Sequence, residues 1–416
     1  MYFVIRARAC AWAAVVAAAS LLAPPALGDE LTLQDALARA RDANPALAAA
    51  ASRIDAAQAG VNQAERRPNP SLSLTGENLP GTRSSFDRTE TTLAYNQVWE
   101  RGGKRKARVS LASAEVEAAK LKERIALLDL YQSVETAWIE ALAAAAQVQL
   151  ASERLVVAER LKQDTNRRVT AARDPAFAGA RVDTLATQAR IARDQSAAAL
   201  QIAKATLASF WRGAAEFDLD DRALDLTPDM TVRPDSPVDI ALLNAQSREA
   251  SARIGLEQSR SYQDPAFQFG VRHFANNNEV GLVAGVSIPL GFNDANQGNI
   301  ARARAEGRAL EQDLAAARIA WEREFSQLRA RLTAYATEAR SLETGTIPAA
   351  ETTLRLVRET FDRGAFSYLE VTEAERALTD ARTRRIEVLK LYHLDMARLN
   401  RLLGTYATEM PMKETR

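Results

Sequence analysis

The chain has 416 residues, with 54 lysines and arginines against 53 aspartates and glutamates, for a formal net charge of +1 at pH 7. This balance gives no basic excess that would indicate nucleic acid as a partner. The only cysteine, Cys10, lies inside a predicted signal peptide. The mature chain therefore has no disulfide, no thiolate metal site and no cysteine nucleophile. A lipid attachment at Cys10 is the alternative, but the residues before it are a poor context.

Residues 1–28 are typical of a secretory signal. Arg6 and Arg8 give a positively charged start, residues 9–23 are apolar, and Ala26-Leu27-Gly28 supplies the small residues that a signal peptidase reads. The alternative is a membrane anchor. That apolar run is short for a spanning helix and ends in two prolines, which favours a cleaved signal and export.

After the signal, the sequence follows one plan twice. We predict a first repeat over residues 29–213, a connector over 214–235, a second repeat over 236–404 and a tail over 405–416. Each repeat has a helical lead-in, two strands, a very long helix, a break and a shorter helix. A duplicated unit of this kind cannot bury itself alone, so the repeat predicts an assembly.

Short capping patterns mark the predicted helix starts. Thr32 and Asp35 stand at capping-box-like spacing, and Ser236 and Asp239 repeat the device in the second half. Asn44-Pro45 interrupts the first helix. The connector is acidic, and we predict a short strand in it near residues 223–226.

Four segments alternate between apolar and polar residues, as strands do. Polar loops join them into two hairpins, each with one apolar face and one small or polar face. In a soluble domain the apolar face would pack on a core, whereas in an outer-membrane barrel it would contact lipid. The predicted strands are residues 71–78, 89–98, 266–273 and 280–288.

The helices beside these hairpins are exceptionally long. We predict one over residues 102–173 and another over 298–363, each reaching roughly 100 Å at ~1.5 Å per residue. Apolar residues recur at three- and four-residue steps along both, which is typical of coiled-coil packing. Pro348 is expected to kink the second helix unless the break packs against a neighbour.

Four strands cannot enclose a channel, whereas twelve strands from three copies can. The same trimer would bring six long helices and their shorter partners, enough for a helical tube. Strands that face lipid cannot leave an open edge, so trimer formation would satisfy their backbone hydrogen bonds. The sequence thus favours a trimeric channel as a hypothesis.

The chain resembles the TolC-type outer-membrane efflux channels, and among them the CzcC-like members of heavy-metal efflux systems. The resemblance covers nearly all of the mature chain. Its motifs are the Thr32-Leu33 to Asn44-Pro45 opening, Gln97 to Arg105 after the second strand, Ile288-Pro289-Leu290 followed by Asn296-Gln297-Gly298, and Phe361 to Val371 at the second helical turn.

The resemblance implies a mainly α fold with β strands. It implies a homotrimer with a long α-helical barrel in the periplasm and a transmembrane β-barrel in outer-membrane lipid. Its partners would be a periplasmic adaptor (membrane fusion protein) and an inner-membrane pump of the resistance–nodulation–division type. The chain would have no cofactor and no catalytic residues, since the pump supplies the energy.

A passive channel needs a gate. The candidate gate residues follow the predicted helical turn near Arg363. Glu370 and Glu373 are three residues apart, on one helix face, and match acidic positions that narrow the pore in the family. Three-fold symmetry would make each a ring of carboxylates that favours cations and has raised pKa values. The alternative is that both are solvated surface acids.

Further candidates lie near the two predicted helical turns, at residues 174–177 and 363–366. Asp183 could line the aperture or pair with a neighbouring arginine, and Arg363 could hold a closed state through an inter-helix ion pair. Gly179 and Gly364 are expected to serve backbone geometry at the turns, because glycine tolerates positive φ. Two further aromatic residues, Phe177 and Phe366, are candidates for exposed contacts or for simple packing.

No metal constellation is visible in the sequence. The two histidines, His273 and His393, are far apart and lack ligand spacing. A metal-efflux role would therefore be conduction without tight chelation. Organic drugs or secreted protein remain alternative cargoes. A periplasmic coiled-coil adaptor is an alternative class, although an adaptor would not need paired hairpins before each long helix.

Overall fold

The computed structural model describes residues 30–79, 86–225, 237–363 and 368–406. The predicted signal peptide and most of the C-terminal tail lie outside these residues. Eight α-helices and four strands make up this described part. The helices are α1 (Leu33–Ala43), α2 (Pro45–Ala64), α3 (Lys104–Thr170), α4 (Ala176–Ser209), α5 (Val238–Arg260), α6 (Gln297–Ser341), α7 (Ile347–Asp362) and α8 (Tyr368–Leu403). The strands are β1 (Ser71–Glu77), β2 (Glu90–Val98), β3 (Ala266–Phe274) and β4 (Glu279–Ser287).

The first helix starts at the predicted capping box. The Thr32 hydroxyl donates to the Asp35 carboxylate at 2.6 Å, and the Asp35 amide donates back to that hydroxyl at 3.2 Å. Asn44 then caps α2 by accepting from the Ala46 amide at 2.8 Å. In the second half, Ser236 lies outside the described residues, and Asp239 pairs with Arg401 of α8.

The Gly-Gly element before α3 has a steric cause. Gly102 and Gly103 both have positive φ, at 68° and 73°. A Cβ on Gly102 would stand 2.5 Å from the ring of Tyr262, so only glycine fits there. Asp264 completes the junction by accepting from the Arg101 amide at 2.8 Å and from Lys104 Nζ at 2.6 Å.

The second long helical stretch is not one continuous α-helix. A π-helical turn, Leu342–Thr346, separates α6 from α7. Pro348 follows it in the first turn of α7, where the missing amide costs little. An extra residue per turn lets the chain pass the proline without ending the helical stretch, so the predicted single helix over 298–363 is corrected to three segments.

The strands form one antiparallel sheet in the order β1-β2-β3-β4. Each strand lies within one residue of its predicted range. One face carries exposed apolar side chains in cross-strand rows, such as Leu74, Leu93, Val271 and Leu282, with Leu282 91% exposed. The opposite face carries mainly serine, threonine, asparagine, glutamine, glycine and charged residues, with a few apolar residues such as Val283 and Phe274. In the described sheet, β1 and β4 each have one unpaired edge.

The described chain groups into two compact units. The first comprises the described parts of Met1–Ala38, Ala137–Leu226 and Ala350–Ile386, and the second those of Arg39–Thr136, Thr227–Ala349 and Glu387–Arg416. The second contains the sheet and a core in which α6 meets α8. That core holds apolar residues that follow one another at three- and four-residue steps, namely Trp321, Phe325, Leu328, Leu332, Tyr335, Tyr392, Met396, Leu399 and Leu403.

The connector contains a helical turn where a strand was predicted. A 3₁₀ turn occupies Asp221–Asp225, because Asp220 accepts from the Arg222 amide and its guanidinium and bends the chain there. The predicted strand near residues 223–226 is therefore wrong for its described part. Upstream, the Leu31 amide donates to the Asp218 carbonyl at 2.9 Å, a bridge that the sequence did not reveal.

Candidate functional site

The first helical tip is the turn from α3 to α4. The Arg173 amide donates to the Arg168 carbonyl at 2.8 Å, and the Ala172 amide to the Val169 carbonyl at 3.0 Å. This is a Schellman motif with Ala172 as its left-handed residue, at φ 54°. Pro175 then starts α4 without a side-chain cap.

Arg168 joins this tip to the second one. Its guanidinium pairs with Asp174, with Nε 2.9 Å from Oδ2 and Nη2 3.2 Å from Oδ1. Its third donor, Nη1, reaches the Phe361 carbonyl of α7 at 2.9 Å, and the guanidinium carbon lies 4.4 Å from the Phe361 ring centroid. Arg168 thus contacts both Asp174 in its own turn and Phe361 near the end of α7. Sequence reasoning missed it, although an Arg and an Asp flanking a turn were a visible signal.

A small apolar core lies beneath these contacts. Ala178 and Val182 of α4 are fully buried against Phe361 of α7 and two residues of α8, Tyr368 and Val371. Leu161, Val169 and Val357 pack around this cluster. Helices from both repeats are therefore held together at the tips by packing as well as by Arg168.

Gly179 is buried but does not serve a turn. It lies inside α4, and its φ is not among the positive values of the described glycines, which are Gly102, Gly103 and Gly404. A Cβ at this position would stand 2.8 Å from Asn166 Oδ1 of α3. The expectation of positive φ at Gly179 is therefore wrong. Its role is to let α4 approach α3, while Ala172 takes the left-handed position.

The predicted tip aromatic Phe177 is 68% exposed and lies outside the buried cluster. Gly364 and Phe366, predicted for the second tip, lie outside the described residues. Arg363, at the last described position before them, has an exposed side chain, and its amide donates to the Glu359 carbonyl at 3.3 Å. Its expected inter-helix ion pair stays a prediction.

The acidic gate candidates lie on exposed helix surfaces. Glu370 and Glu373 are both exposed in the first turns of α8. Glu373 also lines a groove of about 360 Å³ between α3, α4 and α8. Asp183 of α4 pairs with Lys162 of α3 at 3.0 Å, with both side chains about half exposed. The partner of Asp183 is therefore a lysine, where an arginine was one of two expectations.

A partly buried carboxylate that the sequence did not mark lies in the same groove. Glu375 of α8 contacts the Arg358 guanidinium of α7. Burial raises the pKa of the Glu375 carboxyl above its ordinary value, and the nearby Arg358 and Arg382 charges act in the opposite direction. The raised pKa values expected for rings of Glu370 and Glu373 concern the trimer and stay a prediction.

Arg382 extends this network across three helices. Its Nη1 donates to Glu153 of α3 at 2.9 Å, and its Nη2 to Glu351 of α7 at 2.7 Å. One turn away, Arg385 donates to Asp225 of the connector at 2.7 Å. The guanidinium groups of α8 therefore tie this helix to its neighbours at several levels.

No group of three or more histidines, cysteines, aspartates or glutamates is placed to hold a metal ion within the described ranges. His273 lies at the end of β3 and bonds through Nε2 to Asn278 Oδ1 at 2.9 Å. His393 lies against the ring of Tyr392 in α8. Among the described helices, none combines the length and the apolar character that crossing a membrane requires.

Comparison with known proteins identifies a matching family. The chain matches the outer membrane efflux protein family over residues 36–209 and 239–405, so the two matches coincide with the two repeats. The cobalt-zinc-cadmium resistance protein CzcC of Cupriavidus metallidurans is 30% identical over 383 residues, covering 90% of each chain.

One further relative and one solved structure are similar to the chain. The nickel-cobalt-cadmium resistance protein NccC of Alcaligenes xylosoxydans xylosoxydans is 29% identical over 300 residues, covering 69% of this chain and 66% of its own. The crystal structure of CusC has a TM-score of 0.74 at 16% identity, covering 90% of this chain and 92% of CusC. At that identity the likeness concerns the fold.

Proposed function

The chain belongs to the outer membrane efflux protein family, and we propose that it is the outer-membrane channel of a tripartite system that expels heavy-metal cations. The observation that carries this proposal is the similarity to a cobalt-zinc-cadmium resistance protein over 90% of both chains. Similarity of that extent includes both hairpins and both helical tips. The channel conducts passively and catalyses nothing.

The sheet supports assembly into a homotrimer. Its apolar face is exposed in the single chain, with Leu72 and Leu74 each more than 70% exposed. The outer edges of β1 and β4 have unpaired backbone groups, which lipid cannot satisfy. Three copies joined edge to edge would form a closed sheet of twelve strands, with the apolar face towards outer-membrane lipid.

The helices would extend into the periplasm and carry the partner-binding tips. There the channel would meet a periplasmic adaptor and an inner-membrane pump of the resistance–nodulation–division type. Glu370 and Glu373 are exposed near the second tip, where three copies would supply six carboxylates. Carboxylate rings of this kind favour cations over anions.

A deletion strain tests the cargo. We expect loss of the chain to lower the tolerated concentrations of cadmium, zinc and cobalt, with tolerance of organic dyes and detergents unchanged. Plasmid-borne wild type should restore metal tolerance. Loss of dye tolerance with unchanged metal tolerance would contradict the metal cargo and favour the alternative of organic drugs.

A biochemical test addresses the channel itself. Membrane fractionation should recover the chain with the outer membrane, and chemical crosslinking should give trimers. The purified protein should carry ionic current across a planar bilayer. A freely soluble monomer that carries no current would contradict the proposal and favour a periplasmic adaptor.

A further inference from the structure

Two carboxylates face each other across the first hairpin. Glu77 of β1 and Glu90 of β2 are directly paired in the strand register. Both belong to the polar face of the sheet, near its loop end. Like charges in directly opposite positions destabilise a sheet, so this pair requires a compensating cation.

Arg272 of β3 supplies that cation. Its Nη2 lies 2.9 Å from Glu77 Oε2 and its Nη1 lies 2.9 Å from Glu90 Oε2. Its Nε donates to the hydroxyl of Thr92 at 2.9 Å, and Thr92 is only 5% exposed. One guanidinium therefore spans three strands, and each of its nitrogen atoms has an acceptor.

The surroundings leave this cluster open on the polar face. The Arg272 side chain is 30% exposed, and its cross-strand partner in β4 is Gly281, which brings no side chain of its own. The Phe274 ring packs over Gly281 beside the cluster. The cluster of Glu77, Glu90 and Arg272 has a net charge of −1. It is a fixed arrangement of charge on the face of the sheet that carries small and polar side chains.

We propose that Arg272 and its two carboxylates set the charge selectivity of the strand end of the channel. This inference rests on the proposed function, in which the polar face lines the water-filled path. Fixed charges on such a wall select among ions. Removing Arg272 would leave a net charge of −2 per copy, and removing both carboxylates would leave +1.

The test measures the cation-to-anion permeability ratio of the purified full-length channel in a planar bilayer under a potassium chloride gradient. We expect Arg272→Gln to raise the ratio by about fourfold, for three charges about 10 Å from the ion path with salt screening. The double variant Glu77→Gln/Glu90→Gln should lower it by a similar or larger factor. Arg272→Lys, the matched control, should keep the wild-type ratio.

The opposite signs make the result decisive, because a loss of structure would not shift the ratio in two directions. If Arg272→Gln does not insert, the double glutamine variant still gives the predicted decrease. Wild type that conducts, with unchanged ratios in both variants, would overturn this inference alone. Wild type that carries no current would overturn the proposed function, and this inference with it.

Discussion

The Arg168 guanidinium donates a 2.9 Å hydrogen bond to the carbonyl oxygen of Phe361, 193 residues further along the chain. It also pairs with Asp174 across its own turn. This one side chain therefore connects helix ends of both repeats, in addition to the apolar packing beneath it. Arg168 and Asp174 are 21% and 15% exposed, so little solvent competes with these contacts.

Replacing Arg168 should loosen both tips. We expect Arg168→Gln to lower the free energy of unfolding by about 2 kcal/mol, because it removes charge-assisted hydrogen bonds and a cation–π contact. Urea unfolding of the detergent-purified protein would measure this. On the proposed function, the looser tips should also raise the resting conductance in a bilayer.

The neighbouring Arg167 provides a matched control. Its side chain is 75% exposed and lies 3.8 Å from Asp164, so Arg167→Gln should change stability by less than about 0.5 kcal/mol. Arg168→Lys should recover only part of the loss, since lysine cannot reach Asp174 and the Phe361 carbonyl together. Equal effects of Arg167→Gln and Arg168→Gln would contradict a special role for Arg168.

The strands were predictable because their signal is local. Apolar and polar residues alternate along each one, and the alternation fixes which face a residue joins. The family motif from Phe361 to Val371 likewise lies where α7 ends and α8 begins. The Arg168 contacts were not predictable in this way, because they depend on which carbonyl lies nearby in the folded chain.

Glycine was a misleading guide to the turns. At the first tip the left-handed position is taken by Ala172, and at the end of α4 by Arg212, with φ values of 54° and 55°. Gly213, the last residue of the predicted first repeat, follows Arg212, and its amide donates to the Ala208 carbonyl. Hydrogen bonds of the Schellman type impose these conformations on residues that do not favour them.

At these three helix ends, introducing a glycine and removing a glycine should have opposite effects on stability. We expect Ala172→Gly and Arg212→Gly each to stabilise the fold by about 1 kcal/mol, because glycine has no Cβ clash in the left-handed region. Gly404 ends α8 in the same manner, with φ 71°. Gly404→Ala should therefore destabilise by about 1 kcal/mol or more.

Thermal unfolding of the three variants, followed by circular dichroism, would measure these changes. Ala171→Gly is the control, because it lies one position before the left-handed residue and glycine should cost stability there. If Ala172→Gly and Ala171→Gly both destabilise, the Schellman assignment at the first tip is wrong.

Gly179 and Gly60 form a second contrasting pair. Gly179→Ala should destabilise by about 1 to 3 kcal/mol, because its Cβ would meet Asn166 Oδ1 at 2.8 Å. A Cβ at Gly60, inside α2, would have no atom within 4 Å. Gly60→Ala should therefore stabilise the fold by about 0.5 to 1 kcal/mol. Adding Asn166→Ala to Gly179→Ala should recover part of the loss. A destabilising Gly60→Ala would contradict this steric explanation.

The exposed acids at the start of α8 predict a change in ion selectivity. On the proposed function, Glu370→Gln/Glu373→Gln should lower the cation-to-anion permeability ratio, because two rings of carboxylates are lost. Bilayer reversal potentials would measure this. Asp183→Asn is the comparison, and it should have a smaller effect because Lys162 already neutralises Asp183. A ratio unchanged by the double variant would leave Glu370 and Glu373 as ordinary surface acids.

Because of Glu375, we expect the difference in stability between wild type and Arg358→Gln to depend on pH. Burial raises the pKa of Glu375, so its folded state holds the proton more tightly than the unfolded state does. Such a group favours the fold below its unfolded pKa, and this contribution is lost as pH rises through the folded pKa. Arg358 opposes the shift, and Arg358→Gln should therefore raise the pKa of Glu375 further.

Arg358→Gln should accordingly be less stable than wild type at pH 7.5, by about 1 kcal/mol, because a partly buried carboxylate has lost one of its counter-charges while Arg382 and Arg154 remain. The deficit should shrink as pH falls towards 5, since protonation of Glu375 removes that charge. Urea unfolding at several pH values would measure the difference. In the Glu375→Gln background, the effect of Arg358→Gln should be smaller and independent of pH, since no carboxyl remains to titrate. A deficit that grows on acidification would show that another group controls this pH dependence.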